Sequence, residues 1–194
     1  MQAWLAALER QDDDETEQLS AQLTPADEAA LIQFACSAGE DQRWWAVRGL
    51  ALVGGAACVP VLATRLQDEQ PSVRAAAALA LAHLHDRLPA AVTPHLDGVA
   101  ALLADEQGYV RQAAADSLAL CSDDGVPALG SVLRHSTHPG ARTRAASALR
   151  KIASMKSAAI LYALLNDDNH LVRAYAYEGL DEMGLLENIL VMPA

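Results

Sequence analysis

DEQPSVRAAAALALAHL (residues 68–84) and DEQGYVRQAAADSLALC (residues 105–121) are two copies of one pattern. STHPGARTRAASALRKI (136–152) and DDNHLVRAYAYEGLDEM (167–183) repeat it, and SAGEDQRWWAVRGLALV (37–53) fits the same frame. Self-similarity at a fixed period is the signature of a stacked architecture, so it takes precedence over the reading of any single helix. The fixed point is an arginine: Arg43, Arg74, Arg111, Arg142 and Arg173, separated by 31, 37, 31 and 31 residues. One unit is therefore 31 residues, with six extra near Leu88 to Leu96.

The columns around that arginine carry the physics. Three residues after it stand Ala46, Ala77, Ala114, Ala145 and Ala176; seven after it stand Leu50, Leu81, Leu118, Leu149 and Leu180. Ten after it come Val53, Leu84, Cys121, Ile152 and Met183, and the residue before it is Val73, Val110 or Val172 in three copies. These offsets share one face of an α-helix. The alanine lets a neighbouring helix approach closely and the leucine fills the space between layers, so these are core positions.

A second apolar helix precedes each of these: CVPVLATRLQ (58–67), LDGVAALLA (96–104), GVPALGSVLR (125–134) and AAILYALLN (158–166). Pro60, Pro94 and Pro127 fall near their starts, where a missing N–H costs little. Two antiparallel helices cannot bury their apolar face alone, whereas stacked pairs share a continuous core. Six residues before the arginine, Asp68, Asp105 and Asp167 are placed to cap N–H groups and to pair with an arginine of their own or an adjacent repeat. Ser37 and Ser136 occupy that position in the other two copies, so this Asp/Arg ladder is expected to be interrupted.

The D-x-x-x-x-V-R-x-x-A-x-x-x-L frame resembles HEAT repeats, particularly the short HEAT-like repeats of phycobilisome lyases. It covers about residues 25 to 183. The resemblance implies an all-α fold: a right-handed α-solenoid of about five HEAT-like helical hairpins with N- and C-terminal capping helices. The expected organisation is one domain over 1–194, with an acidic N-terminal cap (1–24), five repeats (25–183) and a C-terminal apolar cap (184–194). Thr24, Pro25, Asp27 and Glu28 read as a helix start. Before it, 1–10 and 15–23 read as two short helices whose Trp4, Leu5 and Leu8 cover the open end of the first repeat.

Composition agrees. Of 194 residues, 52% are hydrophobic but only one is Phe, four are Tyr and three are Trp, so the core must be built from Ala, Leu, Val and Ile. Cys36, Cys58 and Cys121 are odd in number and far apart, which reads as reduced structural thiols. Residues 1–9 have no basic region and no long apolar core, and no apolar run approaches the ~20 residues that span a bilayer. A soluble, cytoplasmic protein without membrane association is expected.

Enzyme signatures are missing from the sequence: there is no Gly-rich phosphate loop, no G-x-S-x-G and no H-E-x-x-H. None of the six histidines is followed by Glu, which sets the chain apart from the HEAT-like deoxyhypusine hydroxylases with their His-Glu iron ligands. His83 and His85 diverge on a helix, and His135 and His138 have no carboxylate or Cys nearby. No cofactor and no metal are expected.

Binding is the expected activity. Offsets 1, 5 and 8 from the repeat arginine lie opposite the core stripe, on the side that the HEAT resemblance makes concave. This row, with the flanking offset 2, presents Trp44, Trp45, Arg48, Leu79, Gln112, Asp116, Arg144, Arg150, Tyr175 and Glu178. With Lys151 beside it, this surface suits a helical or extended segment of a protein partner, with Trp, Tyr and Arg as anchors. Trp44 and Trp45 have a second reading, as packing for the N-terminal helices.

The formal net charge is -11, yet residues 1–41 hold ten acids and one base, leaving only -2 for the remainder. Residues 125–166 contain Arg134, Arg142, Arg144, Arg150, Lys151 and Lys156 and no acid. Local compensation is one reading, with Arg150 beside Asp181 and Lys151 beside Glu182 in the next repeat. Self-association of the acidic head with the basic fourth repeat is another. The overall acidity disfavours nucleic acid and with it the HEAT-like DNA glycosylases. The expected function is thus a non-enzymatic protein–protein interaction module, acting as adaptor, chaperone or inhibitor. A phycobilin lyase-like, chromophore-handling subunit and a nucleic-acid-binding protein of the HEAT-like DNA glycosylase type are the alternatives that the resemblance supplies.

Overall fold

A computed structural model describes residues 1–186, and every regular element among them is a helix. Residues 187–194 of the expected C-terminal apolar cap lie outside the described residues. The chain divides into two compact units, one ending at Pro94 and the other beginning at His95.

The first unit holds α1 (Gln2–Glu9), α2 (Asp13–Ser20), α3 (Glu28–Ala35), α4 (Glu40–Val53), α5 (Val59–Arg65), α6 (Pro71–His85) and α7 (Pro89–Val92). Helices α3 and α4 pack as one hairpin and α5 and α6 as the next, with α4 lying along α6. The N-terminal helices form as expected, but α2 starts two residues early. Asp12 is its N-cap, accepting a hydrogen bond from the Glu15 N–H at 2.9 Å, and Asp13, Asp14 and Glu15 favour the positive end of the helix. Trp4 is buried, donates its indole N–H to Ser20 Oγ at 3.0 Å, and faces the Phe34 ring. The start expected at Thr24 is present as a capping box with Asp27, closing a single 3-10 turn before α3.

The second unit holds α8 (Leu96–Ala101), α9 (Gly108–Leu120), α10 (Val126–His135), α11 (Pro139–Ile152), α12 (Met155–Ala163) and α13 (His170–Glu182). Here α9, α11 and α13 lie side by side, each packed on its first helix. The six extra residues fall where α7 and a 3-10 turn over Thr93–His95 precede α8. Gly184, at φ +67°, ends α13: the Leu185 N–H reaches Leu180 C=O and the Gly184 N–H reaches Asp181 C=O. This left-handed closure is what a residue without Cβ permits.

Three core columns are fully buried: the valines 73, 110 and 172, all five alanines, and all five leucines. Each leucine contributes about 1.5–3 kcal/mol by leaving water. In the fourth column Leu84 and Cys121 are buried, whereas Val53, Ile152 and Met183 are half-buried at or just past their helix ends. A further column, six after the arginine, is small and buried throughout: Gly49, Ala80, Ser117, Ala148 and Gly179. A Cβ on Gly179 would lie 2.9 Å from Leu161 Cδ1 and 3.3 Å from Arg150 Cα, so this column sets how closely α13 approaches α11. Cys58 and Cys121 are buried, and burial pushes their thiols up to about 11 and about 12; Cys36 instead is exposed at the end of α3.

Candidate functional site

The repeat arginines do two jobs, and the first is local. Arg43 Nη1 donates to Ser37 C=O at 3.3 Å and Ala38 C=O at 2.8 Å. Arg74, Arg111 and Arg173 make the corresponding bonds to the carbonyls six and five residues earlier. Arg142 departs from this, donating to Leu133 C=O. The guanidinium thus satisfies carbonyls in the turn between the two helices of a hairpin.

The second job is the ladder. Arg43 grips Asp68 of the next repeat with two prongs, Nε to Oδ2 and Nη2 to Oδ1, both at 2.9 Å, and only 4% of its side chain is exposed. Arg142 pairs with Asp167 of the next repeat through a single prong, Nη2 to Oδ2. Each acid also caps its own turn: Asp68 accepts from the Gln70 N–H, Asp105 from Gln107 and Asp167 from Asn169, at 2.9–3.0 Å. Burial alone would raise Asp68. Hydrogen bonds from Arg43 and Gln70, with the charges of Arg43 and Arg65, instead hold it below the usual carboxylate range.

In the first unit, Trp45 is 3% exposed and its indole N–H points to Asp13 Oδ1 of α2 at 3.4 Å. Trp44 stays half-exposed, edge-on to Trp45, and the Arg48 guanidinium lies 4.6 Å and 4.8 Å from the two ring centres. Arg48 also pairs with Glu17 at 2.7 Å. Trp45 and Arg48 therefore hold the N-terminal cap, as the second reading of the tryptophans anticipated. Leu79, 38% exposed, is open on α6.

In the second unit most of the expected surface charges find local partners. Lys151 reaches back to Asp116 at 2.6 Å, and Gln112 donates to the other oxygen of that carboxylate at 3.0 Å. Burial works against the Asp116 charge, but these two donors hold its carboxyl low. Arg150 pairs with Glu178 at 3.0 Å and with Glu182, and Lys156 lies 3.4 Å from Asp123. Compensation is local, but its register differs from the column alignment. Arg150 takes Glu178 and Glu182 rather than Asp181, and Lys151 turns to Asp116 of the preceding repeat.

Arg144 and Tyr175 differ from this neighbourhood. Both are half-buried, and Arg144 makes no ion pair among the described residues; its one hydrogen bond runs to Gly140 C=O at 3.3 Å. Its Nε is shielded from solvent and unmatched. Burial and the neighbouring Arg111 charge pull this guanidinium below its ordinary value, with Tyr175 acting in the opposite direction. Arg111 is the residue that the column reading passed over as part of the frame. It lies where the ladder is interrupted, so Ser136 was the available signal. Among the described residues no three His, Cys, Asp or Glu side chains group as a metal site, and no helix is long and apolar enough to cross a membrane.

These features define an α-solenoid of two-helix repeats in which second helices stack and arginines clamp the turns. A family model for HEAT repeats matches residues 28–100 and 96–181, and the chain belongs to the HEAT-repeat family. No curated protein matches it. Among solved structures it is similar to YibA of Escherichia coli, at 19% identity over 96% of this chain and 72% of that one, with a TM-score of 0.61. It is also similar to the complex of CpcE and CpcF of phycocyanin lyase from Nostoc sp. PCC7120, at 24% identity over 89% of this chain and 72% of that one, TM-score 0.55. A designed armadillo repeat protein in complex with the peptide (KR)4 aligns at 16% identity over 93% and 98% of the two chains, TM-score 0.51. At these identities the likeness establishes the fold alone.

Proposed function

We propose that this chain is a non-enzymatic protein-interaction module that holds a segment of a partner protein across its second helices. In the second unit the binding row is α9, α11 and α13; in the first, Trp44 and Leu79 are the open anchors on α4 and α6. The observation that carries this reading is the contrast along the second-unit row. Gln112, Asp116, Arg150, Lys151 and Glu178 are tied to one another or to Glu182, while Arg144 and Tyr175 between them are left without such a tie. Paired charges beside an unpaired Arg and a Tyr fit an interaction hot spot. The designed armadillo protein with its bound peptide and the two-subunit CpcE–CpcF complex support the reading, since both relatives in fold engage polypeptides.

The test is selection of displayed random dodecapeptides on the full chain, followed by mapping of the winners by amide hydrogen exchange. Protection along α9, α11 and α13, with at least tenfold weaker binding for Tyr175→Ala, is the expected result. Winners that protect only first helices, or no winners, would sink the proposal.

A further inference from the structure

We infer that Arg111 and Arg144, on neighbouring helices α9 and α11, form a docking point for an acidic side chain of the partner polypeptide. The inference rests on the reading of the second-helix row as a partner-binding face, and adds the chemistry that this face selects.

The argument starts from the closed rungs. Where the next repeat supplies Asp68 or Asp167, a repeat arginine ends on a carboxylate. Behind Arg111 the next repeat supplies Ser136. Its hydroxyl still accepts from the His138 N–H at 3.2 Å, as Asp68 accepts from Gln70, so the turn survives the exchange. What disappears is the negative charge. Arg111 keeps its bonds to Asp105 C=O at 2.7 Å and Glu106 C=O at 2.8 Å, but its Nε is shielded from solvent and unmatched. That nitrogen corresponds to the Arg43 Nε that holds Asp68 Oδ2 at 2.9 Å.

A second unmatched Nε, on Arg144, lies on the adjacent helix of the same row. Neither guanidinium meets a carboxylate among the described residues, and each lowers the cost of bringing one in. Shielded donors without acceptors are unfavourable, and charge-assisted bonds to an incoming oxygen remove that penalty. Both side chains remain half-exposed, so a carboxylate arriving from solvent meets the open part of each guanidinium first and reaches the shielded Nε by a shift of the side chain. The planar fork of Arg is matched to a carboxylate, and the closed rungs of this chain already show it gripping one. An Asp or Glu of the bound segment is therefore the occupant.

The test uses the full chain and three probes: fluorescein-labelled octaglutamate, the peptide (Lys-Arg)4 and inorganic phosphate. Octaglutamate is expected to bind and to shift the Nε–H NMR signals of Arg111 and Arg144, while (Lys-Arg)4 leaves them in place. Arg144→Gln should weaken octaglutamate at least tenfold. Ser136→Asp should do the same while raising Tm, because it closes the rung from within and shows that lost binding is not lost folding. Octaglutamate affinity unchanged in both variants overturns the inference. Phosphate at matched charge shifting the same signals as strongly reduces the site to an adventitious ion only, and also overturns it. Sedimentation showing a dimer that Arg144→Gln dissolves would make the occupant a second copy of this chain and overturn the partner assignment. Selected dodecapeptides that map to α9–α13 but lack acids and bind Ser136→Asp normally leave the proposed face standing and remove only this inference. Absence of any such peptides removes the face itself.

Discussion

Arg43 in the first unit and Arg111 in the second occupy the same column, and each commits one nitrogen to two carbonyls of its own turn. They part at the next repeat. Arg43 closes on a buried Asp68, while Arg111 faces Ser136 and keeps an unmatched nitrogen. The scaffold tolerates both endings because the turn-capping role of the acid passes to the serine hydroxyl, leaving only the charge to vary. Within one repeat frame, the turn and the charge are thus separable: the closed rung is cement, while the acid-free rung keeps its turn and leaves a guanidinium without a carboxylate.

The strongest way to break the comparison is to open the closed rung. Arg43→Met leaves Asp68 buried without its principal cation and should cost about 3–5 kcal/mol in urea unfolding, the range for a buried pair that loses one member. Arg111→Met removes only bonds to turn carbonyls and should cost about 1–2 kcal/mol. Equal losses at the two sites would mean that the rungs do not differ as described.

The converse change closes the open rung. Ser136→Asp should stabilise the chain by about 1 kcal/mol, since a charge-assisted bond is partly offset by desolvation of the new carboxylate. A destabilised Ser136→Asp protein would show that Arg111 cannot be reached from position 136.

A finer test uses acid. Asp68 is held below its unfolded value near 3.9, so its contribution is complete above that pH. It is lost as the pH falls through 3.9 and then through the lower folded value. The gap in unfolding free energy between wild type and Asp68→Asn should therefore be constant from pH 7 to 5 and shrink toward pH 3. A gap that persists undiminished at pH 3 would contradict the depressed carboxyl. The smallest effect is expected at the exposed Arg150–Glu182 pair, where Glu182→Gln should leave the urea midpoint within measurement error.

The repeat frame was legible because a five-fold column of alanine and leucine has no reading other than a helix face packed on its copies. The interrupted ladder was legible too, in Ser136. Which charges meet was not. Arg150 and Lys151 are adjacent in sequence yet turn to opposite neighbouring repeats, and that choice depends on where α9 and α13 place their acids on either side of α11. Trp45 shows the other limit. Its offset places it at the margin of the exposed row, and only the packing of α2 against it decides that it is buried. Arg111 was hidden by its own regularity, since a residue shared by every copy reads as scaffold.

The clamp of Arg43, Arg74, Arg111 and Arg173 on carbonyls five and six residues upstream works as a caliper. It measures the turn inside four of the five hairpins, and any residue inserted there pushes the carbonyls out of reach. Length can change only where no arginine spans the gap, which is where the six surplus residues of this chain are found, between Leu88 and Leu96. A reporter peptide or an added binding loop spliced there should be carried without disturbing the repeats, whereas the same splice between Asp68 and Pro71 should unfold its hairpin.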